Sequence, residues 1–160
     1  MQTAIRVILI LLALGLVTSV QAGERFIDNG DGTVTDTQQH LMWAATDNNG
    51  DIDWHQALKW VRYTFPFTLS VRYDNWRLPT LAELQSLAKD YKGEGYEAEC
   101  GQRLKLTPLI RLSCGWVWSS DSEKIAPSAY VFNFNKVYHY SVRKAHRRGY
   151  RALAVRNLDQ

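Results

Sequence analysis

From Val7 to Val17 the chain runs without a polar side chain, and nowhere later does it do so again. Eleven residues fall well short of the ~20 that a membrane-spanning helix needs. Arg6 stands before the run and Val20-Gln21-Ala22 after it, which predicts a secretory signal peptide over residues 1–22, cut near Ala22. The mature chain is then residues 23–160, with no integral membrane span expected in it.

After Gly23 the pattern becomes that of a folded domain. Phe26 to Asp36 sets Asn29-Gly30 and Asp31-Gly32 between short β-favouring pieces, which predicts a tight hairpin. Leu41-Met42-Trp43 reads as the next strand, and Thr46 to Asp53 as a polar loop. Asp53 followed by Gln56 fits a helix start, and Trp54, Ala57, Leu58 and Val61 recur at helical spacing, predicting a helix over Trp54 to Tyr63. Thr80 and Glu83 form a capping box ahead of a second helix whose apolar face is Leu81, Leu84 and Leu87 or Ala88. Trp116-Val117-Trp118 predicts a buried strand, and Ser119 to Ser122 a polar turn after it.

From Ala129 onward the period is two, with Tyr130, Phe132 and Phe134 on one face, then Tyr138 with Tyr140, then Leu153 with Val155. The C-terminal third is therefore expected to be an antiparallel strand set. Two helices in the N-terminal half, short strands and long irregular loops make the predicted class α+β.

At 160 residues, 46% hydrophobic and 22% charged, the composition fits one globular domain and excludes a disordered or collagenous chain. The formal charge of +3 falls by one with Arg6, too mild to imply a nucleic-acid partner, and none is expected. Cys100 and Cys114 are the only cysteines. In a chain sent to an oxidising compartment they are expected to form a disulfide rather than a metal or redox site.

Candidate chemistry is sparse, and no catalytic constellation, metal site or cofactor is expected. Trp43, Trp54 and Trp76 adjoin strand or helix starts, where core packing is the better reading than sugar stacking. Asp47, Asn49, Asp51 and Asp53 alternate in a loop and could offer oxygens to Ca²⁺. Ile52 and Leu58, however, stand where a helical calcium loop needs Gly and Glu, so loop and helix-cap roles are expected. Arg143, Lys144, His146, Arg147, Arg148 and Arg151 form the marked local charge feature. On a loop flanked by Tyr138, Tyr140 and Tyr150, they could present cations to a sulfated or phosphorylated polymer. Arg156 reads as a structural arginine.

Six pieces in order carry a resemblance: Phe26 to Asp36, Leu41-Met42-Trp43, Trp54-x-x-Ala57-Leu58, Trp76-Arg77-Leu78-Pro79-Thr80-x-x-Glu83-Leu84, Val117-Trp118-Ser119-Ser120 and Ala154-Val155-Arg156. The series resembles the C-terminal domain family of the Legionella collagen-like adhesin (Lcl), a bacterial family similar to the C-type-lectin-like fold. The closing motif commonly carries Cys in that family, where this chain has Ala154, which implies a local Cys100–Cys114 pair. The founding adhesin is associated with sulfated glycosaminoglycans, so the resemblance implies an exported, non-enzymatic recognition module for polyanionic or other glycans. The alternative is an envelope or pilus-associated scaffold domain with a protein partner. The Trp76 to Thr80 element also resembles one in formylglycine-generating enzymes, whose late cysteine pair has no counterpart after Cys114.

Overall fold

The computed structural model describes residues 24–124 and 127–159, so the predicted signal segment lies outside the described residues. Strands β1 (Phe26–Asp28) and β2 (Thr33–Asp36) form the expected hairpin. Gly30 and Gly32 supply its positive φ values of 72° and 90°, while Asp28 and Asp31 accept the amides of Gly30 and Thr33 across the turn. Strand β3 (Leu41–Ala44) continues the meander on β2.

Helix α1 spans Trp54–Tyr63, with the Asp53 carboxylate accepting the Gln56 amide at 2.9 Å and Ala57 and Val61 turned into the core. A short 3₁₀ turn, Phe65–Thr68, follows. Helix α2, Leu81–Lys89, starts on the predicted capping box: Thr80 Oγ1 accepts the Glu83 amide at 3.2 Å and Glu83 Oε2 accepts the Thr80 amide at 2.7 Å. Glu83 also takes two Arg77 bonds of 2.8 Å, which fixes the entry of α2 against the preceding segment.

Two short strands, β4 (Tyr96–Glu97) and β5 (Arg103–Leu104), pair antiparallel inside a long excursion. Gly95 adopts φ 73° there, and a Cβ on it would fall on the Leu104 carbonyl oxygen. Cys100 and Cys114 close this excursion as the expected disulfide, their Cα atoms 5.5 Å apart.

The second sheet holds β6 (Trp116–Ser122), β7 (Ser128–Asn133), β8 (Tyr138–Arg143) and β9 (Tyr150–Arg151), in the order β8-β7-β6-β9. Strand β10 (Val155–Asn157) leaves it to pair with β3, giving a first sheet of order β1-β2-β3-β10. Two sequence expectations are corrected here. Ser119 to Ser122 is not a turn but the far half of β6, with a register shift between Trp118 and Ser122. The C-terminal third is not one antiparallel set, because β9 runs parallel to β6 and β10 belongs to the other sheet. Period two marks a strand and a buried face; it does not name the partner.

Two helices and two main sheets make an α+β domain whose core includes Trp43, Trp118, Phe132 and Phe134, all fully buried. Trp43 and Trp76 are core residues, as expected, and Trp54 is half-buried. Arg156 is structural: it is buried and its Nε donates to the Asp74 carbonyl at 2.9 Å. Helix α2 packs on one face of the second sheet. The loop before α1 packs on the other, where Trp118 Nε1 donates to Ile52 O and Trp54 Nε1 to Ser119 O, both at 2.9 Å. No helix among the described residues is long and apolar enough to cross a membrane.

Candidate functional site

Of the predicted basic cluster, Lys144, His146, Arg147 and Arg148 lie on the segment between β8 and β9, whereas Arg143 ends β8 and Arg151 ends β9 instead of standing on the loop. A loop nearly 100 residues earlier in the chain holds this region in shape. Asp51 Oδ1 accepts the Gly149 amide at 2.9 Å and Arg151 Nη1 at 2.8 Å. Arg151 Nε donates to Ser113 Oγ at 2.7 Å and lies 4.0 Å from Asp47. Asp47, itself buried, accepts the Ser113 amide and hydroxyl at 2.8 and 2.9 Å and the Asn49 amide at 2.8 Å. At the other end of the loop the Trp54 amide donates to Lys144 O at 3.1 Å, and Lys144 Nζ sits 4.3 Å over the Trp54 ring.

This arrangement divides the six predicted cations. Arg143, His146, Arg147 and Arg148 are exposed, and Lys144 is half-buried on Trp54. Arg151 is turned inward, its side chain 13% exposed and engaged by Asp51, Ser113 and Asp47. A positive loop that would otherwise repel itself is thus anchored by two carboxylates. Burial pushes the Asp47 carboxyl above its ordinary value despite the hydrogen bonds it accepts. The Gly149 amide, then Arg151, hold Asp51 below its own.

The polar loop read as a candidate Ca²⁺ ligand set therefore has structural partners for its oxygens. Asn48 Oδ1 accepts the Ala152 amide at 2.7 Å, and Asp53 caps α1. Among the described residues, no group of three or more His, Cys, Asp or Glu is placed to hold a metal ion. Ser119 is fully buried, and its Oγ accepts the Asp121 amide at 3.2 Å.

Beside the basic loop lies a strip of aromatic rings. Register places Trp116, Asn133 and Tyr138 in one row of the sheet and Trp118, Val131 and Tyr140 in the next, all on one face. Tyr138 and Tyr140 meet the Trp116 ring edge-on at 5.2 and 4.9 Å and are 47% and 39% exposed. The Tyr140 and Tyr150 hydroxyls lie 2.9 Å apart, which ties the strip to the residue that follows Gly149. Burial, then this contact, raises the Tyr150 phenol above its ordinary range. A cleft of about 410 Å³ between His55, Ser128, Arg143 and Lys144 opens at the other end of β8.

A larger cleft, about 580 Å³, was not foreseen from the sequence. It is lined by Arg62, Phe67, Arg72, Tyr73, Trp76 and Arg77. Its signal was the pair Arg62 and Arg72 bracketing Phe65, Phe67, Leu69 and Val71, a stretch assigned no element beyond the loop at Pro66. Phe67 is 74% exposed with Arg72 5.6 Å over its ring, while Tyr73 donates to Asp31 at 2.7 Å.

Fold and site together define a small disulfide-closed α+β domain with a loop-borne cationic surface beside exposed rings. The sequence profile of the Lcl C-terminal domain matches residues 32–156, and the chain belongs to that family. No curated protein sequence matches it.

Proposed function

We propose that this domain is a non-enzymatic recognition module of an exported bacterial protein, and that it binds polyanionic glycans on the strip and loop just described. The observation that carries the reading is the set of exposed His146, Arg147 and Arg148 on an anchored loop beside the exposed rings of Tyr138 and Tyr140, with Arg143 on the other face at the end of β8. Guanidinium groups offer bidentate donors to sulfate or carboxylate, and an exposed ring offers a flat apolar surface to a pyranose. Membership of the Lcl C-terminal domain family supports the adhesin-like class.

The C-type-lectin-like assignment is part of the same proposal. It is supported by the sharing of one sheet between the first and last strands, by two helices early in the chain, and by long irregular connections before β6. Export to the periplasm or beyond, after cleavage near Ala22, is supported by the apolar Val7 to Val17 run and by the disulfide.

Retention on immobilised heparin, compared with neutral polysaccharide at two salt concentrations, tests the reading. Salt-sensitive retention that is lost in the Arg147→Ala/Arg148→Ala variant supports it. Absence of retention on either matrix at low salt removes it.

A second reading rests on a different surface. Tyr63 and Phe67 are 68% and 74% exposed beside Arg62 and Arg72, a composition suited to an envelope or pilus protein partner. Stoichiometric capture of one envelope protein, lost in Phe67→Ser, favours that reading.

A further inference from the structure

The order β8-β7-β6-β9 leaves the outer side of β8 without a neighbouring strand. Register with β7 is regular over all six positions from Tyr138 to Arg143, and the Lys144 amide donates to Pro127 O at 2.8 Å as that register continues. In an antiparallel pair, a residue bonded to the one opposite turns both main-chain groups inward, and its neighbours turn theirs outward. Tyr138, Tyr140 and Val142 therefore face β7, while His139 and Ser141 present N–H and C=O to the open edge. Among the described residues none of these four groups has a partner.

Folded proteins blunt such edges with Pro, Lys, bulges or short length. β8 has no Pro, Lys or bulge and runs six residues, its one charge, Arg143, standing at its end, and its residues 138–141 are all exposed. The other edge strands of the two main sheets differ: β1 and β10 have three residues each and β9 has two.

We propose that β8 is the pairing edge for a second copy of this chain, joined antiparallel about Tyr140. A two-fold axis perpendicular to the sheet at that residue sets His139 opposite Ser141 of the second copy, and the reverse. The four outward groups then satisfy one another. Tyr140 meets its own counterpart and Tyr138 meets Val142, so the apolar row on the Trp116 face is matched by itself. Arg143 falls opposite Val137, so no cation faces another within the strand, and one step beyond its ends Lys144 comes opposite Lys136.

Two alternatives fit less well. Centring on Ser141 instead brings Arg143 into the ladder, and its carbonyl is already taken by the His146 amide at 2.9 Å. A foreign strand could use the main-chain groups but has no reason to match the side-chain row. The result is one continuous eight-stranded sheet with both basic loops on the same face.

The test uses the protein expressed from Met1 and purified as the host processes it. Sedimentation velocity from low to high micromolar concentration is expected to show monomer passing to dimer. Ser141→Pro, which removes one outward N–H, is expected to remain monomeric with an unchanged circular dichroism spectrum. Tyr140→Cys places two thiols across the axis at a non-hydrogen-bonded pair, so mild oxidation is expected to trap a covalent dimer, whereas Thr35→Cys gives none. A wild type that stays monomeric throughout overturns the proposal. So does an oligomer that survives Ser141→Pro and yields no Tyr140→Cys cross-link.

Discussion

Arg151→Ala separates a residue that shapes the basic loop from those proposed to meet a polyanion. The guanidinium is 13% exposed, and the Asp47 carboxylate it faces is 2% exposed. Breaking a buried ion pair by deleting one partner costs ~3–5 kcal/mol. The three hydrogen bonds left on Asp47 keep the expected loss near the lower end. The Asp51 arm adds less than ~1 kcal/mol, because that carboxylate is 42% exposed and screened by water. The expected total is about 3 kcal/mol, read as a lower urea midpoint at unchanged m-value by tryptophan fluorescence. Arg147→Ala and Arg148→Ala, both exposed, are expected within ~0.5 kcal/mol of wild type in the same assay. If Arg151→Ala shifts stability no more than these two do, the anchoring of the loop by Asp47 and Asp51 is wrong.

Three further outcomes are expected. Replacing Cys100 and Cys114 by Ser opens a closure with a sequence separation of 14 and is expected to cost about 3 kcal/mol in urea denaturation; a loss below ~1 kcal/mol contradicts this. Burial opposes ionisation of Glu83, but bonds from Arg77 and Thr80 outweigh it and hold the carboxyl below its ordinary 4.5. Its contribution is therefore complete above pH 4.5 and is lost as pH falls through the lower folded value. The stability gap between wild type and Glu83→Gln is expected to be flat near neutrality and to narrow in acid, and a gap that widens in acid refutes the assignment. Thr80→Ala removes one half of the α2 capping box and is expected to cost ~1 kcal/mol in thermal denaturation, whereas Thr80→Ser is expected to cost little.

Local chemistry was legible in the sequence. The Asn-Gly and Asp-Gly turn, the bounds of α1 and the Thr80–Glu83 capping box all follow from neighbours a few residues apart, and the disulfide from there being only two cysteines. Pairings between distant segments were not. Nothing in the period of Leu153 and Val155 says that β10 returns to β3, and nothing around Ser119 to Ser122 reveals that β7 extends that stretch as a strand. The site divides the same way. The basic cluster is contiguous and visible, but the difference between Arg151 and Arg147 is made by Asp47, Asp51 and Ser113, from remote parts of the chain. The aromatic strip needed three strands in register before Trp116, Tyr138 and Tyr140 shared a face.

The most direct test of the polyanion-binding surface is a titration of ¹⁵N-labelled protein with a sulfated oligosaccharide, followed residue by residue. The account predicts salt-sensitive shifts concentrated on the backbone amides of Arg143 to Gly149, Tyr138 and Tyr140 and on the indole N–H of Trp116. Shifts centred instead on Arg62, Phe67 and Arg72, or no shifts at low salt, contradict it.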